Sequence, residues 1–171
     1  MKNPNEASSA GRAPGRSQAG PHPLGGSADV PIGRGADIQS LQGGDRRIPF
    51  LDKIGMRRVR IGGGEAVVTL ELQPDLLNNH GAGHGGVLMT LLDSAMANAA
   101  LSRVDFSREV VTVDLHVGFM HPSKGRLAVT GRATGGGRSV CFCEAEAIDA
   151  SGQVVAKAMG TFRYLNHSRP E

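Results

Sequence analysis

The pattern of apolar and polar positions predicts one long helix in this chain. Between residues 87 and 100, apolar side chains recur at spacings of three and four residues, which is typical of an amphipathic helix. The positions on this stripe are Leu88, Leu91, Leu92, Ala95 and Ala99. Because four residues in the second half are alanines, the helix is narrow, and a sheet could wrap closely around it.

Alternation of apolar and polar residues predicts strands on both sides of the helix. The clearest strand covers residues 110–120, where one face would carry Val111, Val113, Leu115, Val117 and Phe119. The other predicted strands cover residues 57–61, 65–72, 126–134, 138–149 and 153–164, with a glycine break at 135–137. A short helix or turn at residues 49–56 would plug one end of the core. Short connections favour antiparallel neighbours, so we expect an α+β fold in which one antiparallel sheet surrounds one helix.

Composition divides the chain into three parts. Residues 1–45 are rich in Gly, Pro, Ser and Ala without periodicity, which predicts a disordered N-terminal extension. This part lacks the apolar central region of a signal peptide. Residues 46–165 would form the single folded domain, and residues 166–171 a polar tail.

Charge and composition exclude several classes of function. The net charge is only +3, the basic residues are scattered, and aromatic residues are few, so nucleic-acid binding is not indicated. No apolar run approaches the roughly 18–20 residues that span a membrane. Cys141 and Cys143 alternate on one strand, a spacing that suits neither a mutual disulfide nor a zinc site by itself. We therefore expect a reduced, cytoplasmic protein without metal.

A polar, glycine-rich loop, residues 78–86, leads directly into the predicted helix. The start of a helix presents unpaired N–H groups and the positive end of the helix dipole. Gly85 and Gly86 have no side chains that would block a ligand there. A carbonyl oxygen bound at this point would be polarised, as in an oxyanion hole.

Asp93 is the unusual residue of the helix. It lies two turns from the start, too far to act as a cap or as a partner of the dipole. Its neighbours one turn away are Met89, Met96 and Ala97. A carboxylate in such surroundings is partly desolvated, which suits a general base. The alternative is an ordinary aspartate on the exposed side of the helix.

The order Asn78, then His84-Gly85-Gly86, then Asp93 resembles the active-site signature of hotdog-fold acyl-CoA thioesterases of the phenylacetic-acid-pathway (PaaI-like) group. The resemblance covers about residues 48–165. It implies a hotdog fold, an antiparallel sheet wrapped around a central helix. It also implies a homodimer or homotetramer with active sites at the subunit boundary.

The resemblance further implies the hydrolysis of an acyl-CoA to a free acid and coenzyme A. The Gly85 N–H would polarise the thioester carbonyl, and Asp93 of the facing subunit would act as general base or nucleophile. Asn78 would orient the water or the carbonyl. His84 would contact the thioester or hold the loop. The acyl group would be aryl, phenylacetyl-type or medium-chain, in a pocket that includes Met89 and Met96.

Other residues are assigned by the same resemblance. Thr112, which precedes Val-Asp, would assist the active-site water, or it is an ordinary strand threonine. Gly86, Arg138 and Ser139 would contact the coenzyme A part of the substrate, although Arg138 could equally be a surface arginine. No metal or redox cofactor is required, since coenzyme A belongs to the substrate.

Four alternatives follow from the same residues. Gly81 to Gly86 satisfies the G-x-G-x-x-G dinucleotide fingerprint with Asp105 beyond it, but no buried strand runs into the first glycine. His80 and His84 are separated by glycines, which argues against a helical metal pair. A hotdog hydratase or dehydratase and a non-catalytic acyl-CoA binding or sensing module both remain open.

Overall fold

A computed structural model describes residues 47–166 of the chain. The extension predicted for residues 1–45, and all but the first residue of the predicted tail, lie outside the described residues. The helices are α1 (Pro49–Ile54) and α2 (Gly85–Arg103), with one 3-10 turn at Pro74–Leu76. The strands are β1 (Arg57–Gly62), β2 (Glu65–Glu71), β3 (Glu109–Phe119), β4 (Arg126–Gly136), β5 (Val140–Ile148) and β6 (Val154–Leu165).

The six strands form one antiparallel sheet in the order β1-β2-β4-β5-β6-β3. This sheet surrounds α2, which confirms the predicted α+β class. The helix begins two residues before the predicted start, so Gly85 and Gly86 belong to its first turn. No helix within residues 47–166 is long and apolar enough to cross a membrane.

The core lies between the sheet and the apolar stripe of α2. All five predicted stripe residues are buried. The contact is close at Gly131 of β4, where an added Cβ would lie 2.5 Å from the carbonyl carbon of Ala95. The narrow, alanine-rich half of the helix therefore touches the backbone of the sheet, as the sequence indicates.

Strand β3 departs from the predicted alternation. Its pairing with β6 shifts between Thr112 and Asp114, so Val113 is the extra residue of a β-bulge. Because the bulge reverses the facing of the side chains, the prediction that all five apolar residues share one face is wrong. Val111 and Val113 are 44% and 61% exposed, whereas Leu115 and Val117 pack against the core.

The hairpin between β4 and β5 also differs from expectation. The predicted glycine break at 135–137 is mostly strand, since Gly135 pairs with Phe142 and Gly136 with Cys141. Gly136 has a φ of 118°, which favours glycine. The chain turns immediately afterwards, so Arg138 and Ser139 lie at the exposed tip of the hairpin instead of in a strand.

Cys141 and Cys143 are free, buried thiols whose Sγ atoms lie 3.7 Å apart. Burial raises the pKa of the Cys143 thiol, and the neighbouring Cys141 raises it further. Arg103 Nη1 lies 3.9 Å from the Cys141 Sγ, a basic neighbour that the sequence did not indicate. The pair packs in the core on the sheet side of α2.

Candidate active site

His84 is the N-cap of α2. Its Nδ1 atom accepts a hydrogen bond from the Gly86 N–H at 3.0 Å, and its carbonyl oxygen accepts from the N–H groups of Val87 and Leu88. Among residues 47–166, the Gly85 N–H has no partner. The first turn therefore satisfies its own donors except at Gly85, the position expected to polarise a carbonyl.

The capping hydrogen bond also defines the tautomer of a neutral His84 side chain. Because Nδ1 accepts a hydrogen bond, the proton of the neutral imidazole is assigned to Nε2. Of the two roles expected for His84, holding the loop is the one this contact performs. Contact with a thioester stays a prediction.

Asn78 shapes the loop that precedes α2. Its Oδ1 atom accepts from the N–H groups of His80 and Ala82 at 2.9 and 3.2 Å. Its own N–H donates to the Ala82 carbonyl at 2.7 Å. The Asn78 Nδ2 group has no partner within the described part of the chain. The side chain thus fixes the loop through its oxygen and keeps its amide nitrogen as a donor for a ligand.

The loop is held from its other side by the turn between β3 and β4. The Gly83 N–H donates to the Ser123 carbonyl at 3.0 Å. A Cβ on Gly83 would lie 2.5 Å from Ser123 Oγ and 3.0 Å from Leu72, so only glycine fits there without movement. Ser123 is 1% exposed and was not singled out in the sequence.

Asp93 and Thr112 meet where β3 packs on α2. The Thr112 hydroxyl donates to Asp93 Oδ1 at 2.7 Å, and the carboxylate is half-buried. A single hydrogen bond leaves the other carboxylate oxygen available to a water or a substrate. The structure thus brings together two residues that the sequence placed in the same site.

Gly85 and Asp93 of one chain do not meet. They are eight residues apart on a continuous helix, which separates them by roughly 12 Å along its axis. One thioester group is too small to contact both. Within a single chain these are therefore two halves of the expected site.

A cavity of about 870 Å³ lies beside Asp93, within the size range of small-molecule sites. The side formed by α2 comprises Thr90, Asp93, Ser94, Ala97, Asn98 and Leu101. The opposite walls comprise Arg47, Ile48, Phe50, Leu51, Arg58, Ile61, Phe106, Arg108, Glu109 and Val110. Neither Met89 nor Met96 borders this cavity: Met96 is fully buried in the core, whereas Met89 is 41% exposed. Contact of these residues with an acyl group in a pocket shared by two chains stays a prediction.

The residues expected to contact coenzyme A lie in two places. The Gly86 N–H is used by the cap, and its carbonyl accepts from the Thr90 hydroxyl at 2.9 Å. At the β4–β5 tip, the Arg138 carbonyl accepts from Arg108, which borders the cavity. The Ser139 carbonyl accepts from the Tyr164 N–H at 2.9 Å. Contact of these residues with coenzyme A stays a prediction.

Comparisons with known proteins identify the family of this chain. Residues 80–156 match the family model of the thioesterase superfamily. A protein of Saccharolobus solfataricus, named "Putative esterase", is 31% identical over 122 residues, which are 71% of this chain and 84% of that protein. The chain belongs to the thioesterase superfamily.

Solved structures of the superfamily fold share the same architecture. A conserved protein from Pseudomonas aeruginosa is 31% identical, with a TM-score of 0.67 over 70% of this chain and 95% of that one. A mutant of the phenylacetic acid degradation protein PaaI from Thermus thermophilus is 29% identical, with a TM-score of 0.63 over 69% of this chain and 100% of that one. The hotdog fold and the likeness to PaaI proteins are thereby confirmed.

The sequence analysis missed part of the candidate site. Ser94 and Asn98 border the cavity although neither was singled out. The available signal was their spacing of four residues, which places two polar side chains on one face of a mostly apolar helix. The cavity walls that α1, β1 and β3 form come from distant parts of the sequence, so no local sequence pattern predicts them.

Proposed function

We propose that this thioesterase-superfamily protein hydrolyses an acyl-CoA to a free acid and coenzyme A at a site shared by two copies of the chain. The observation that carries the proposal is the pair of half-sites on α2. The unpartnered Gly85 N–H would polarise the thioester carbonyl. Asp93, which accepts a hydrogen bond from Thr112, would serve as the base or nucleophile. In one chain, however, Gly85 and Asp93 are roughly 12 Å apart along the helix. A second copy would supply the missing half.

The reaction uses both halves on one thioester. The carbonyl oxygen accepts a hydrogen bond from Gly85 of one copy, at the positive end of the α2 dipole. Asp93 of the other copy removes a proton from water, which attacks the carbonyl carbon. The carbon–sulfur bond then breaks, and coenzyme A leaves as its thiol. Direct attack by Asp93, followed by hydrolysis of the anhydride, balances equally well. The Asn78 amide nitrogen would orient the water or the carbonyl.

The edge strand β3 offers the surface for the second copy. Its exposed Val111 and Val113 flank the bulge, and within residues 47–166 it pairs only with β6. The two ends of β3 lie near the two half-sites: Phe119 would be 3.4 Å from a Cβ on Gly85, and Thr112 holds Asp93. Antiparallel pairing of two copies about the middle of β3 would place the Phe119 end of one beside the Thr112 end of the other.

Coenzyme A would extend from the thioester towards the protein surface. The β4–β5 tip carries Arg138 and Ser139 and is joined to the cavity rim through Arg108. Two guanidinium groups in this region would attract the phosphates of coenzyme A. Because Gly86 has no side chain, coenzyme A could approach the backbone at the start of α2 beside the thioester.

Release of free thiol from a panel of aromatic and aliphatic acyl-CoAs tests the proposal. Asp93→Asn keeps the shape of the side chain and removes the base, so turnover should fall by roughly 10²–10⁴-fold. Asp105→Asn, on the loop after α2, is the matched control and should retain activity. Unchanged turnover in Asp93→Asn would refute the mechanism. Tight binding of acyl-CoA without turnover would favour a binding module, and hydration of an enoyl-CoA would favour a hydratase.

A further inference from the structure

Two buried polar side chains border the cavity beside Asp93. Ser94 and Asn98 are only 7% and 8% exposed, and they lie one helical turn apart. The Asn98 Nδ2 group donates to the Ser94 carbonyl at 2.7 Å. Within residues 47–166, Asn98 Oδ1 and Ser94 Oγ have no hydrogen-bond partner. Leaving such atoms unpaired beneath an apolar ligand is unfavourable, so the cavity is suited to an occupant that pairs with them.

The hydrogen bond within α2 fixes what Asn98 can offer. If the amide were flipped, its oxygen would face the Ser94 carbonyl oxygen, which cannot donate. The amide nitrogen is therefore used by the helix, and only the acceptor oxygen remains for the cavity. A ligand group that pairs with it must donate a hydrogen bond. Three arginines border the same cavity against two carboxylates, so a neutral donor fits better than a cation.

The position of Asn98 relates the pair to the reacting carbonyl. Asn98 follows Asp93 by five residues, roughly 7.5 Å along the helix axis. An acyl chain whose carbonyl lies at Asp93 and which runs along α2 towards Leu101 passes Ser94 and Asn98. Ala97 and Leu101 provide apolar contacts along the same path.

We propose that Ser94 and Asn98 select an acyl group that carries a hydroxyl on its chain. The hydroxyl donates to Asn98 Oδ1, and its oxygen accepts from the Ser94 hydroxyl. Both polar atoms that face the cavity are then paired, whereas an unsubstituted chain covers them and leaves both unpaired. This inference rests on the proposed thioesterase function, and it names the class of substrate.

The test compares hexanoyl-CoA with hydroxyhexanoyl-CoAs in which the hydroxyl occupies successive carbons. In the wild type, one hydroxylated isomer should exceed hexanoyl-CoA in kcat/KM by about tenfold, the effect of one to two neutral hydrogen bonds. Asn98→Leu, of similar size, should reduce this ratio to near one. Ser94→Ala, a smaller change, should reduce it in the same direction and serves if Asn98→Leu fails to fold.

Ser102→Ala is the matched control for Ser94→Ala. Ser102 is buried on the same helix, but its hydroxyl donates to the Ala99 carbonyl at 2.9 Å and it does not border the cavity. This variant should keep the wild-type ratio. A change as large as that of Ser94→Ala would show that the effect arises from the helix and would overturn the proposal.

Two further outcomes separate the inference from the function beneath it. Hydrolysis of all the substrates with the same efficiency in wild type and Asn98→Leu would overturn the hydroxyl selection and leave the thioesterase intact. Preference for adipoyl-CoA, with a terminal carboxylate, would assign selection to the arginines and would also overturn it. If no acyl-CoA is hydrolysed, the proposed function fails. Binding of the same compounds, measured by calorimetry, then tests the inference by itself. About tenfold tighter binding of one hydroxylated isomer than of hexanoyl-CoA would support it, and equal binding would overturn it.

Discussion

The Thr112 hydroxyl donates a 2.7 Å hydrogen bond to Asp93 Oδ1 and so joins the edge strand β3 to the central helix α2. Thr112 lies immediately before the bulged Val113, and its side chain faces the helix. The bulge therefore has a chemical consequence. It lets the first part of β3 orient the candidate base while Leu115 and Val117, beyond the bulge, pack on the core.

Removing the Thr112 hydroxyl should reduce turnover more than substrate binding. Thr112→Val keeps the branched shape but cannot donate, so the Asp93 carboxylate loses the bond that orients it. We expect kcat for thiol release to fall by about tenfold, with KM little changed. Thr112→Ser restores the donor and should recover most of the rate. Equal rates in Thr112→Val and wild type would show that the contact has no role in turnover.

Proline at position 85 tests the unpartnered N–H directly. Gly85 is the first residue of α2, where proline is tolerated because that N–H lacks a helical partner. His84 has the extended backbone that precedes proline readily. Gly85→Pro should therefore fold and lose roughly 10²–10³ in kcat, the effect of removing one oxyanion donor.

Gly85→Ala is the control for the proline variant, since it retains the N–H and its Cβ would lie 3.4 Å from Phe119. It should be much more active than Gly85→Pro. Thermal unfolding of both variants checks that the fold is intact. If a folded Gly85→Pro protein hydrolyses acyl-CoA at the rate of Gly85→Ala, the N–H does not bind the carbonyl.

Mixing two inactive variants tests whether the site is shared between copies. In a dimer of Asp93→Asn with Gly85→Pro, one site combines the intact Gly85 of the first chain with the intact Asp93 of the second. The other site carries both changes. Random pairing after co-refolding should restore about a quarter of the wild-type rate. A site within one chain predicts no recovery, and each variant refolded alone gives the baseline.

Ser123 should destabilise the native protein slightly. Its hydroxyl is buried and has no hydrogen-bond partner within residues 47–166. Ser123→Ala removes that hydroxyl and should increase the free energy of unfolding by up to about 1 kcal/mol.

The same change should partly relieve the clash that Gly83→Ala introduces, because the added Cβ would lie 2.5 Å from Ser123 Oγ. Denaturant unfolding of the two single variants and the double variant measures the coupling, and strict additivity would contradict it.

The turn between β5 and β6 should lose stability in acid. Burial by itself raises the pKa of Asp149, but hydrogen bonds from the Ser151 hydroxyl and from the N–H groups of Ser151 and Gln153 lower it below its ordinary value of 3.8. A carboxyl whose pKa is lowered in the native state stabilises the fold above its unfolded pKa. That contribution is lost as the pH falls through the native pKa.

Asp149→Asn keeps the acceptor oxygen and removes the charge. At neutral pH the wild type should therefore have the higher Tm. The difference should begin to shrink as the pH falls below about 3.8, and it should disappear only below the lower pKa of the native state. Thermal unfolding across this range measures it. A difference that does not change with pH would mean that the charge contributes nothing.

The sequence by itself determined the helix, the antiparallel sheet and the positions of Gly85 and Asp93 on α2. These features are local: a three-to-four spacing specifies one helical face, and a glycine-rich loop specifies an open helix start. The alanine-rich half of the helix also indicated a closely wrapped sheet, and the structure locates one such contact between Ala95 and Gly131.

Tertiary structure alone decided the bulge at Val113, the cavity and the partners of Asp93. A bulge depends on how two strands pair, so alternation within one strand cannot reveal it. The cavity walls come from α1, β1 and β3, which are distant along the chain. The burial of Met96 likewise depends on how the sheet packs on α2. The roughly 12 Å between Gly85 and Asp93 follows from helix geometry. Our proposal that a second copy brings them together rests on the open edge of β3 in the sheet of residues 47–166.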